Sequence, residues 1–183
     1  QSNHPWTGNT LTNGSFVFAQ EMTGSYLITW YFYKMPLFIH ICFLLFIFLL
    51  KNKDKKNILE IYSFIFIITN FILFPIFKPT AYDGLRHFLF LIPFLAIICS
   101  SVLTHAQNLD KRIFNSMLIL IFIYGVFTQA GLDQYRYSYF NEFTNLESIT
   151  KECNNIDGCG NWATDYWGFS GKELSNQLNN KNF

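Results

Sequence analysis

Ile58–Phe77, ILEIYSFIFIITNFILFPIF, holds one acid, Glu60, and no base along its whole length. A helix rises 1.5 Å per residue, so a run of about 20 apolar residues matches the ~30 Å hydrocarbon core of a bilayer. Its apolar residues are continuous and do not alternate with polar ones. That selects a helix over a barrel strand, these being the two structures that satisfy every backbone group in lipid. On either side lie three more such runs, Tyr31–Leu50, Leu85–Leu103 and Ile113–Ala130. The expected fold is an all-α membrane protein with about four transmembrane helices in residues 31–130. Residues 1–30 then form the end of an outer loop, and residues 131–183 a small outer C-terminal α/β tail.

Composition supports this class. Apolar residues make up 51% of the 183, aromatics 20% and charged residues only 14%, which is not the balance of an ordinary soluble domain. The formal net charge of +1 leaves no basic surface for nucleic acid. Lys51, Lys53, Lys55 and Lys56 join the first two runs and Lys111 with Arg112 the last two, whereas the middle connection carries only Lys78 and Arg86. The positive-inside rule therefore puts the lysine-rich loops in the cytoplasm and both termini outside. Pro36, Pro75 and Pro93 are expected at outer helix ends or at kinks. The chain opens on Gln1 with no signal-peptide pattern, so further sequence is expected before it.

The outer segments have signals of their own. Asn13-Gly14-Ser15 matches the glycosylation acceptor triplet, a common pattern. Tyr135, Tyr137 and Tyr139 alternate with Arg136, Ser138 and Phe140, which fits a strand or an extended interfacial segment bearing an aromatic belt. Cys153 and Cys159 fall on the oxidising side and are expected to form a disulfide, worth roughly 2 kcal/mol for so short a loop. Asp165, Tyr166 and Trp167 set a carboxylate beside two aromatic faces, a pattern found where sugars bind and equally in the core of a small folded tail. Ser170-Gly171-Lys172-Glu173 reads as a capping box opening a short helix to Leu178. Within the apolar runs, Asn70 is expected to bond to another helix and His40 to face the bundle interior, while Cys42 and Cys99 read as small apolar residues. No metal site is read, and no motif speaks for or against a divalent cation as cofactor.

The chemistry concentrates in Tyr82-Asp83-Gly84-Leu85-Arg86-His87, which sets fixed charge at the mouth of an apolar run. A guanidinium there can grip two oxygens of a lipid-linked phosphate, with Lys34 adding a point charge from a neighbouring helix end. His87 could hydrogen-bond or protonate a leaving group, and Tyr82 and Asp83 would orient Arg86. An ordinary helix-end anchor would look the same in sequence.

Lys34-Met35-Pro36, Tyr82 to Phe90 followed by Pro93, Gln134 to Glu142, and Asp165 to Ser170 stand in an order and on a common side that resemble the C-terminal part of bacterial polytopic glycosyltransferases. These are similar to the dolichyl-phosphate-mannose protein mannosyltransferases, of the GT-C class. The resemblance covers most of the chain from about Tyr26. It implies transfer of a sugar from a polyprenyl-phosphate donor to an acceptor on the periplasmic side of a bacterial inner membrane. The family's catalytic carboxylate lies in an earlier outer loop that this chain does not match. The resemblance thus implies a donor-phosphate site at Arg86, His87 and Lys34, and no activity from this chain by itself. A transporter or polymer-export subunit would instead line one path with Asn70, Thr69 and His40. A membrane anchor or assembly protein would turn Arg86 to water or headgroups.

Overall fold

Asn13 and Gly14 both take positive φ, 48° and 81°. Two such residues in succession give the turn whose twist matches that of paired strands. They connect β1 (Asn9–Thr12) to β2 (Ser15–Phe18) in an antiparallel hairpin with Thr12 opposite Ser15. Thr10 and Thr12 face inward, and the Thr12 hydroxyl accepts a hydrogen bond from the Trp30 indole at 3.1 Å. The two-stranded sheet therefore belongs to the N-terminal segment, where the sequence suggests only the end of a loop.

The computed structural model describes residues 8–19, 21–52, 57–132, 136, 138–144, 162 and 175. Its helices are α1 (Tyr26–Lys34), α2 (Leu37–Asn52), α3 (Ile58–Phe77), α4 (Ile92–Leu109) and α5 (Lys111–Ala130), with a 3₁₀ segment, Arg86–Leu91, leading into α4. The expected run from Tyr31 to Leu50 is not one helix. Proline disfavours helical conformation in the residue before it, so Met35 is extended at ψ 138° and the chain turns 113° between α1 and α2. Three helical stretches are long and apolar enough to cross a membrane: Ile58–Phe77, Arg86–Leu109 and Lys111–Ala130. The bent pair α1 and α2 makes a fourth only if both pieces are counted together. Pro75 lies in the last turn of α3, where Lys78 closes the helix in the left-handed region, and Pro93 takes the first turn of α4, a position that needs no amide proton.

The hub of the packing is α4, which lies against α2, α3 and α5. Leu95, Ile98 and Val102 recur at helical spacing and form its inward stripe. They join Phe46 of α2, Ile67 of α3 and a cluster on α1, Tyr26, Leu27 and Trp30, in one core. In contrast, α5 has no buried residue and leaves Leu120, Phe122 and Phe127 exposed at 66%, 71% and 76%. A helix apolar on every face suits an apolar surrounding. Among the described residues Asn70 does not bond to another helix as expected. Its amide donates to the Phe66 carbonyl one turn back, at 2.8 Å, which satisfies it within α3. His40 likewise pairs its Nε2 with the Phe32 carbonyl across the α1–α2 corner.

The tail is described only in part. Arg136 and Ser138 sit in a 3₁₀ turn in which Tyr139 donates to the Arg136 carbonyl, so the alternating tyrosines do not mark a strand at these positions. Trp162 is buried against Trp30, Tyr33 and Phe140, with ring centroids 4.8 to 5.3 Å away. Cys153, Cys159, Asp165, Tyr166, Trp167 and the capping box at Ser170 lie outside the described residues.

Candidate anion site at the corner of α1

Asp83 and Gly84 both have positive φ, 56° and 68°. Asp tolerates this conformation and Gly is indifferent to it, so the pair can bend the chain sharply in the connection that follows α3. Gly84 is needed for a second reason. A Cβ there would meet the Trp30 indole at 3.1 Å. The Tyr26 hydroxyl donates to the Gly84 carbonyl at 3.2 Å, fastening this loop to α1. As a result the loop lies against α1, and Arg86 and Lys34 line the same cleft.

That cleft has a volume of about 540 Å³, a size typical of ligand pockets. Three cations line it, Lys34, Arg86 and Arg136, with Asp83 the acid among its described lining residues. Trp30, Met35, Leu85 and Leu89 supply apolar wall, and Gln129 and Tyr139 come from the α5 side. Asp83 Oδ2 accepts from Arg86 Nη1 at 3.2 Å. With the Arg86 side chain 44% exposed, the pair contributes about 0 to 1 kcal/mol, so its effect is to aim the guanidinium more than to hold the fold. Lys34 lies with its ammonium 3.9 Å above the Phe140 ring and 5.8 Å from that of Trp30. Burial pushes its pKa down to about 7. An anion entering the cleft would favour the charged form again.

Of the sequence-derived set, Lys34, Asp83 and Arg86 come together here. Tyr82 and His87 pack on each other edge to face, 4.5 Å between ring centroids, outside the cleft's lining. Arg136 is a site residue that the sequence reading does not single out. Its signal is its position, since it is the cation of the aromatic segment that follows the last apolar run and so returns to the side bearing Lys34 and Arg86. The site can neutralise a phosphate with charge from three separate parts of the chain. Its one described carboxylate already faces Arg86, which suits the cleft to binding an anion better than to removing a proton. Among the described residues no group of three or more His, Cys, Asp or Glu side chains could hold a metal ion.

No family model, no curated protein and no solved structure matches this chain.

Proposed function

We propose that the cleft holds the phosphate of a polyprenyl-linked sugar, and that the chain contributes this donor site to a membrane glycosyltransferase of the GT-C kind. In this reading α3, α4 and α5 cross a bacterial inner membrane, and α2 completes a fourth crossing together with the α1 corner that caps its periplasmic end. The lysine-bearing connections lie in the cytoplasm, and the hairpin, α1, the cleft and both termini of the chain lie on the periplasmic side. The acceptor is left unassigned. The observation that carries the reading is the convergence of Lys34, Arg86 and Arg136 on one cleft of ligand size with apolar walls.

Transfer of the sugar breaks the bond between its anomeric carbon and the phosphate oxygen, leaving a second negative charge on the lipid phosphate. Cations already gathered at the cleft stabilise that charge as it develops. Arg86 supplies a planar fork for two oxygens, Arg136 a second from the segment after α5, and Lys34 a point charge beside aromatic rings. Leu85 and Leu89 continue the cleft with apolar surface suited to the first isoprene units. Asn70 and His40 are each satisfied by a nearby backbone carbonyl, which withdraws support from a transport path built on them.

Sugar transfer from a labelled polyprenyl-phosphate donor, measured in membranes carrying the native protein, tests the reading. Arg86→Ala should lower the rate about 100-fold, the scale of losing one preorganised charge partner. A rate that does not change with Arg86 would reject the clamp.

A further inference from the structure

Tyr139 lines the cation cleft on one side and, with Glu142, a second depression on the other. Between them stands the Tyr124 hydroxyl on α5. The Leu37 amide points to it at 3.3 Å, the Tyr139 hydroxyl lies at 2.9 Å and Glu142 Oε2 at 3.0 Å. A phenol has one proton to donate and two lone pairs to accept with. The Leu37 amide can only donate, so it takes one lone pair. An ionised carboxylate can only accept, so the Tyr124 proton goes to Glu142. One lone pair then remains on Tyr124, and the proton of Tyr139 must fill it.

The consequence is on the cleft side. Tyr139 has no proton left for a ligand and offers only lone pairs. We infer that Glu142, acting through Tyr124, makes Tyr139 a hydrogen-bond acceptor toward the cleft, and so selects a phosphodiester that carries a hydroxyl donor, such as a sugar ester, over an equally charged diester without one. Glu142 is thus a positioning residue, and the inference rests on the reading of the cleft as a phosphate site.

Protonating Glu142 reverses the order. Its new O–H donates to Tyr124, Tyr124 donates to Tyr139, and the Tyr139 proton becomes free to bond a phosphate oxygen. Acid should therefore improve binding of the diester that has no hydroxyl and narrow the preference. The groups that face this network are the Leu37 amide from α2, Tyr124 from α5 and Glu142 from its own segment. The charged groups lining the same cleft are Lys34, Asp83, Arg86 and, from the turn that carries Tyr139, Arg136. Asp83 is a second carboxylate at the cleft, so the effect of Glu142 has to be read by difference.

The experiment compares two probes on the purified protein in detergent, a short-chain isoprenyl phosphoglucose and the matching isoprenyl methyl phosphate, each a diester of the same charge. At neutral pH the wild type should bind the sugar ester about tenfold more tightly, the value of one hydrogen bond. Tyr139→Phe should abolish that preference. Glu142→Gln, whose amide oxygen still accepts from Tyr124, should keep the fold and the neutral-pH preference but lose the narrowing on acidification. A preference unchanged in Tyr139→Phe, or a narrowing of equal size in Glu142→Gln, would overturn the inference while leaving the cleft's role intact. Failure of both probes to bind would overturn the phosphate reading itself, and the inference with it.

Discussion

The side-chain amide of Asn141 donates to the Met35 carbonyl at 2.8 Å, joining the segment after α5 to the corner between α1 and α2. The same amide donates to the Phe32 carbonyl, and the Asn141 backbone N–H donates to that of Tyr33 at 2.9 Å. The end of a helix leaves its last carbonyls without partners, and the break forced by Pro36 creates such an end in the middle of the structure. One buried asparagine satisfies three of these groups. Through the turn before it, this anchor also places Tyr139 and Arg136 at the cleft.

Replacing Asn141 by Ala keeps the backbone bond to Tyr33 but removes the side-chain donor from the Phe32 and Met35 carbonyls, of which Phe32 retains His40, and should cost about 1 to 3 kcal/mol, visible as a lower thermal midpoint in detergent. Asn141→Asp should cost more, because a carboxylate cannot donate to a carbonyl and is repelled by it. Both variants should also bind isoprenyl phosphate more weakly, since Arg136 loses its anchor.

Gly84 offers a second test of the same architecture. Ala at this position meets the Trp30 ring at 3.1 Å and must hold φ at +68°. The expected loss is about 1 to 3 kcal/mol, measured by thermal or denaturant unfolding. Gly125 provides the control, because a methyl group added there would meet nothing within 4 Å and its backbone is ordinary helix. Gly125→Ala should be neutral or slightly stabilising.

Lys34 makes the site sensitive to pH. Burial lowers its pKa from 10.5 to about 7 on folding. Between those values the unfolded chain binds more protons than the folded one, so stability rises with pH across that window and is flat below it. Lys34→Met should remove the rise. Binding of an anion restores the ammonium, so above about pH 7 it should draw in a proton. Calorimetry in buffers of different ionisation enthalpy would show that uptake in the wild type and a smaller one in Lys34→Met.

How much of this is legible in the sequence depends on the range of the interactions. Continuous apolar runs such as Ile58–Phe77 announce themselves locally, and α3 begins and ends where the pattern does. The corner at Met35 is signalled by Pro36 but its angle is not, because the turn is completed by Asn141, more than a hundred positions away. The Asn13-Gly14 turn is a strong hairpin signal in itself. It is obscured because β1 and β2 are only four residues each and show little apolar alternation. Arg86 and Lys34 stand out as charges at the ends of apolar runs. Arg136 does not, since its part in the cleft depends on a 3₁₀ turn and on the anchoring of Asn141.

The central claim is that Lys34, Arg86 and Arg136 act together on one phosphate, and equilibrium binding of a short-chain isoprenyl phosphate to the purified protein tests it most directly. The account predicts saturable binding that weakens with salt, falls about tenfold or more in Arg86→Ala and in Arg136→Ala, and falls by less than the product of the two in the double variant because both residues grip the same group. Binding that is indifferent to both arginines, or losses that belong to Arg86 alone, would contradict it.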